Sequence, residues 1–177
     1  MIYLWVDPWT QNIWLCLADE RQVIAFLTVE WKKSLYKDDR LAKMMTVLRV
    51  FLTEAKWIVF DKIDYAFIEY PVIFRNAKTS MILAESLWRI KSELYKQEIL
   101  TKEVYVQEVK KMVWAMKKED IIAKTMIECE THNRPKPKTE HEADAYRIMR
   151  VGQKKLLESN EEKNAKEKKG NHKKSRD

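Results

Sequence analysis

The run Ile2-Tyr3-Leu4-Trp5-Val6-Asp7 and its echo Tyr65-Ala66-Phe67-Ile68-Glu69 decide the fold. Each is almost continuously apolar, as a strand is when both of its faces are covered, and each ends on a carboxylate where the chain leaves the sheet. Pro71 follows the second run and blocks any further ladder. The two runs therefore read as buried strands that deliver Asp7 and Glu69 to one end of a sheet.

Outward from the first run, Ile13 to Ala18 and Gln22 to Val29 are two more strand-like stretches, with a polar turn at Asp19-Glu20-Arg21-Gln22, as in an antiparallel meander. Leu41, Met44, Met45, Leu48, Phe51, Leu52 and Ala55 then recur at helical spacing, with Asp38 or Asp39 as the N-cap. After the second run, Asn76 or the residue before it caps a helix whose apolar stripe reads Ala77, Met81, Ala84, Leu87, Trp88, Lys91 and Leu94. Glu103 to Gln107 reads as a fifth strand. Helical pattern follows at Val109, Met112, Val113 and Met116, and again from about Glu119 to Cys129. Arg134-Pro135-Lys136-Pro137-Lys138 is a loop, since two prolines exclude helix. It leads into a helix capped by Thr139 that runs through Ala145, Met149 and Leu156. The order is an α/β chain with a mixed sheet of about five strands, the first three antiparallel, and helices on both faces. This layout resembles the ribonuclease H-like fold. Residues 1–157 form the domain, and residues 158–177, rich in Lys, Glu and Asn without apolar periodicity, are expected as a disordered Lys-rich tail.

Composition narrows the function. With 177 residues, 46% hydrophobic and 11% aromatic, the chain can bury one sizeable core. A net charge of +7 favours a polyanionic partner. The only glycines are Gly152 and Gly170, which excludes a Gly-rich phosphate loop and a nucleotide cofactor. The two cysteines, Cys16 and Cys129, make no disulfide framework, and with His132 they show no paired spacing for zinc. No apolar run approaches the roughly 20 residues that span a bilayer. The strand pattern begins directly after Met1, so a soluble, cytoplasmic protein is expected.

His141 and Asp144 stand three apart, so a helix shows both on one face. A lone Asp or Glu after a strand is an ordinary turn residue. Asp7, Glu69, His141 and Asp144 converging from two strand ends and a helix would be costly to hold without a cation. Hydrolysis of a phosphodiester needs an activated water and charge relief on the leaving oxygen, and two divalent ions can supply both. Asp7, Glu69 and Asp144 offer oxygens that suit Mg²⁺ (or Mn²⁺). His141 would bind a metal through neutral imidazole or move a proton.

The segments Val6-Asp7-Pro8, Ile68-Glu69 with Phe74-Arg75-Asn76-Ala77, Val106-Gln107-Glu108-Val109-Lys110-Lys111, and His141-Glu142-Ala143-Asp144-Ala145 resemble, in order and spacing, the motifs of RuvC-type Holliday junction resolvases. The resemblance implies a homodimeric endonuclease, dependent on Mg²⁺ or Mn²⁺, that binds four-way DNA junctions and nicks two strands symmetrically. It gives Asp7, Glu69, His141 and Asp144 the catalytic metal-site roles. It places Arg75, Lys110, Lys111, Lys117 and Lys118 against DNA. Trp9 stands where the family usually has Gly, and Val72 where it has an aromatic residue; the short region after Lys111 and the unusual Lys-rich tail suggest a divergent, phage- or virus-borne relative acting in a host cytoplasm. A broader flap or fork endonuclease and a non-cleaving junction-binding module are the alternatives, separable by a cleavage assay on branched and linear DNA.

Overall fold

A computed structural model describes the backbone of residues 1–8, 12–31, 37–59, 62–70, 77–113, 118–133, 136–137 and 140–174. The side chains of residues 37, 106, 112, 113, 118, 121, 140, 141 and 160–174 are outside the described set. The strands are β1 (Tyr3–Pro8), β2 (Asn12–Ala18), β3 (Val23–Glu30), β4 (Tyr65–Tyr70) and β5 (Leu100–Tyr105). The helices are α1 (Lys37–Val59), α2 (Ala77–Lys96), α3 (Val106–Val113), α4 (Lys118–Thr131) and α5 (Glu140–Lys174).

The five strands form one sheet in the order β3-β2-β1-β4-β5. β1, β2 and β3 pair antiparallel, whereas β4 lies parallel to both β1 and β5. This is the mixed α/β sheet expected of the sequence, with helices on both faces. The β1–β4 register is pinned at its amino end: the Ile2 N–H donates to the Asp64 carboxylate at 2.7 Å, and the Asp64 N–H donates to the Ile2 carbonyl at 2.9 Å. Because side chains alternate across a strand, the pinned register sorts the core into two halves. Leu4, Val6, Ala66 and Ile68 face α1 and α2, packing with Leu48, Phe51, Leu87 and Ile90. Tyr3, Trp5, Cys16 and Phe67 face the other way, against Val109 of α3 and Ala145, Ile148, Met149 and Val151 of α5.

Three local expectations need correction. Asp38 and Asp39 are not N-caps; α1 begins at Lys37 and both lie in its first turn, where their charge complements the exposed N–H groups. β5 starts earlier, at Leu100, because its parallel register with β4 pairs Tyr65 with Leu100, and Val106 and Gln107 already belong to α3. The stripe of α2 is rotated: Leu83, Ser86, Leu87, Ile90, Glu93 and Leu94 are buried, while Met81 and Trp88 are 69% and 70% exposed. Glu93 is tolerated inside because Arg49 of α1 donates to it at 2.9 Å. The capping positions Asn76 and Thr139 lie outside the described residues. α5 continues as helix to Lys174, past the expected domain end at 157, and Leu156 is its last buried side chain among those described.

Candidate active site

Val6 pairs with Ile68 across the parallel β1–β4 ladder, so Asp7 and Glu69 are the next residues on adjacent strands. Neighbouring strands run about 4.8 Å apart, and residues in register point to the same face. Asp7 lies two residues beyond Trp5, and Glu69 two beyond Phe67. Both therefore take the face covered by α5. On the far side of β4, Glu69 pairs with Val104, which is buried in the same half of the core. On the far side of β1, Asp7 pairs with Trp14. Both acids are half-buried.

α5 reaches this end of the sheet through three flanks. Its inner stripe, Ala145, Met149, Gly152 and Leu156, lies on the sheet. Ala145 and Met149 share a small cavity with Tyr3, Trp5 and Cys16. At Gly152 the helix is so close that a Cβ would fall 2.2 Å from Phe67 Cδ1. A second flank holds Tyr146, Arg147 and Arg150 against α4. The Arg147 Nε donates to Thr125 Oγ1 at 2.6 Å, and its guanidinium also meets the Glu128 carboxylate. Tyr146 donates to the same carboxylate at 3.2 Å, and Arg150 approaches it to 3.5 Å. Burial alone would raise the Glu128 pKa; Arg147, together with Tyr146 and Arg150, reverses that and leaves the carboxyl below its ordinary range.

The third flank reads Asp144, Ile148, Val151, Lys155, spaced four, seven and eleven residues from its first member. Its direction is settled by Lys155, whose ammonium donates to the Glu103 carbonyl at 3.1 Å and to the Glu108 carboxylate at 2.7 Å, both at the carboxyl end of β5. Ile148 and Val151 of this flank pack in the same half of the core as Phe67 and Val104. Asp144 sits eleven residues back along it, about 16 Å nearer the helix start. That start lies over β2, where Ala145 and Met149 pack with Cys16 and Ala18, and burial, with Glu142 adding to it, pushes the Cys16 thiol pKa far up.

Asp7 and Glu69 are thus side by side, and half-buried Asp144 shares their face. Among the described residues, however, no group of three or more His, Cys, Asp or Glu side chains is gathered closely enough to hold a metal. His141 occupies the first turn of α5, and its side chain is outside the described set. The donor chemistry of the acids, oxygen only, fits a hard cation such as Mg²⁺. Half-buried Lys110 and exposed Lys111 occupy the last turn of α3, which leaves the carboxyl end of β5. Arg75 and Lys117 lie outside the described residues, and of Lys118 only the backbone, at the start of α4, is described. The Arg147–Glu128 pair was not foreseen. Arg147 stands as a lone charge inside the apolar run Ala145-Tyr146-Arg147-Ile148-Met149, which hints at burial but does not name the partner 19 residues away.

No protein-family profile matches this chain, and no curated protein matches it by sequence. Among solved structures, it superposes on T. thermophilus RuvC in complex with Holliday junction substrate with a TM-score of 0.64 at 14% identity, covering 84% of this chain and 90% of that one. A second structure of Thermus thermophilus RuvC gives 0.61 at 16% identity over the same shares of the two chains. The resemblance seen in the sequence is thereby borne out at the level of architecture: this chain has the ribonuclease H-like fold of RuvC.

Proposed function

We infer that this protein is a divalent-metal-dependent endonuclease that resolves four-way DNA junctions by paired nicks. The observation that carries the reading is the adjacency of Asp7 and Glu69 at the carboxyl ends of parallel neighbours, on the face of the sheet that α5, the helix of Asp144, packs against. The fold is that of RuvC, which in one of the two superposed structures is in complex with Holliday junction substrate.

In this reading Asp7, Glu69 and Asp144 hold Mg²⁺ or Mn²⁺, two ions per site, and His141 either completes the shell or holds the proton taken from water. Bound there, the ions supply an activated water and charge relief on the leaving oxygen. Lys110 and Lys111, with Arg75, Lys117 and Lys118, bind backbone phosphates of the substrate strand, which places the scissile bond without reading its sequence. Paired nicks need two sites. The outward stripe of α2, Met81, Trp88 and Tyr95, spaced by seven and 69%, 70% and 83% exposed, offers an apolar surface for a second copy. No described helix is long and apolar enough to cross a membrane, and action on DNA in the cytoplasm accords with that.

The test is cleavage of labelled four-way, forked and linear DNA in Mg²⁺ and in EDTA. Paired symmetric nicks confined to four-way DNA support the reading. Single cuts on forks favour a broader branched-DNA nuclease, and binding without cuts a junction-binding module. Asp7→Asn is expected to bind junctions with wild-type affinity and to lose more activity than the roughly 10–100-fold cost of an outer-shell change. Cutting at the wild-type rate would remove Asp7 from the site.

A further inference from the structure

α3 leaves β5 without a connecting loop, and a network at the junction fixes its direction. Glu108, the third residue of the helix, turns back and accepts the Tyr105 N–H at 2.8 Å, the reciprocal half of a capping box. The same carboxylate is gripped by Lys155 of α5, at 2.6 Å from one oxygen and 2.7 Å from the other. Lys155 also donates to the Glu103 carbonyl at 3.1 Å and lies 5.6 Å from the centre of the Tyr105 ring. Glu103 is itself paired with Lys91 of α2. Lys155 and Glu108 are only about one-third exposed, 31% and 34%. A pair screened this little from its surroundings holds its geometry better than a surface pair.

Two features make this more than a local staple. Lys155 shares its flank of α5 with Asp144, three turns away on the same rigid rod. Glu108 lies two and three residues before Lys110 and Lys111. The clamp thus joins the element that carries an acid of the site to the turn that carries its basic residues.

We propose that Lys155 is a positioning residue: through Glu108 it sets the basic last turn of α3 at a fixed distance from the acidic strand ends, so that a phosphate held by Lys110 and Lys111 falls within reach of the site. This rests on the nuclease reading. Small misplacements of a bound substrate are costly in rate, so the clamp acts on cleavage more than on affinity.

The test uses the full chain with Lys155→Met, Glu108→Gln, both together, and Lys155→Arg. Single-turnover cleavage of four-way DNA is measured at saturating protein, with amide hydrogen exchange across residues 106–113. Lys155→Met and Glu108→Gln are each expected to slow cleavage on the order of tenfold. The double variant should be no slower than either, and Lys155→Arg should retain most of the rate. Glu108→Gln is the discriminating arm, since removing a carboxylate near a polyanion would on charge alone aid binding. Exchange in α3 should rise in both single variants while β1 and β4 stay protected. Glu108→Gln cutting at or above the wild-type rate, losses that multiply in the double variant, or unchanged exchange in α3 would each overturn the proposal. If the wild-type chain leaves junctions uncut in Mg²⁺ and Mn²⁺, the nuclease reading fails by itself, and the exchange result alone upholds or overturns the clamp.

Discussion

Replacing Gly152 by Ala adds one methyl group at the point where α5 presses hardest on the sheet. An ideal Cβ there would lie 2.2, 2.3 and 2.6 Å from Phe67 Cδ1, Cε1 and Cγ. Carbon atoms pack at about 3.5–4.0 Å, so the ring or the helix has to move by more than about 1 Å. The ring has little room: Phe67 is fully buried and stacks on Tyr3 at 5.6 Å between centroids. Overpacking of this kind costs about 1–3 kcal/mol. Against it stands the gain of about 1 kcal/mol from replacing Gly by Ala within a helix. The net expectation is a loss of up to about 2 kcal/mol, or a Tm lower by at most roughly 4–8 °C for a domain of this size. Thermal denaturation followed by circular dichroism measures it, and Gly152→Ala combined with Phe67→Leu should recover part of the loss as space is returned. A Tm above wild type by roughly 2–4 °C for Gly152→Ala would refute the close approach of helix and ring, because the helix-propensity gain of about 1 kcal/mol would then be acting unopposed.

Lys110→Ala with Lys111→Ala should weaken junction binding and flatten its salt dependence by roughly 0.9 in logarithmic slope for each phosphate that is no longer neutralised; an unchanged slope would return both lysines to a solvated face. Arg147→Met should cost about 3 kcal/mol in urea unfolding, the low end for breaking a buried pair, because Arg150 and Tyr146 still face Glu128. The folded pKa of Glu128 lies below the ordinary carboxylate value, so its pairing stabilises the protein above about pH 4.5 and is lost as pH falls through the folded value. Glu128→Gln should therefore show a shallower loss of stability on acidification than wild type, and equal slopes would count against the pairing. Cys16 and Cys129 are buried, and the Cys16 thiol is pushed far above its usual range, so iodoacetamide should label neither in the native protein and both in urea.

The elements that could be read from the sequence are those in which one physical demand acts alone. β1 and β4 are covered on both faces, so their residues are apolar without alternation, and a carboxylate that breaks such a run can only sit at its end. Asp7 and Glu69 were legible for that reason, and their adjacency then followed from the parallel ladder. α2 was harder because it carries two apolar stripes. Met81 and Trp88 compete with Leu83, Leu87, Ile90 and Leu94 for the core, and only packing against α1 and the sheet decides between them. The Lys155–Glu108 and Arg147–Glu128 pairs join residues 47 and 19 positions apart. No local pattern names the partner in such pairs: the apolar neighbours of Arg147 hint at its burial, but Glu128, Lys155 and Glu108 each resemble an ordinary solvated side chain. β5 was misplaced by three residues because its one fully buried position, Val104, gives almost no periodic signal.

The helix that crosses from β2 to β5 follows all five strands in the chain. A growing polypeptide therefore completes its sheet while the face destined for Ala145, Met149 and Gly152 is still bare, with Trp5 and Phe67 not yet covered by that helix. Asp144, the third acid of the proposed site, arrives only with that helix. Under the proposed activity, a chain interrupted before that point would lack one of the acids assigned to cleavage, so the order of synthesis would act as a safety catch.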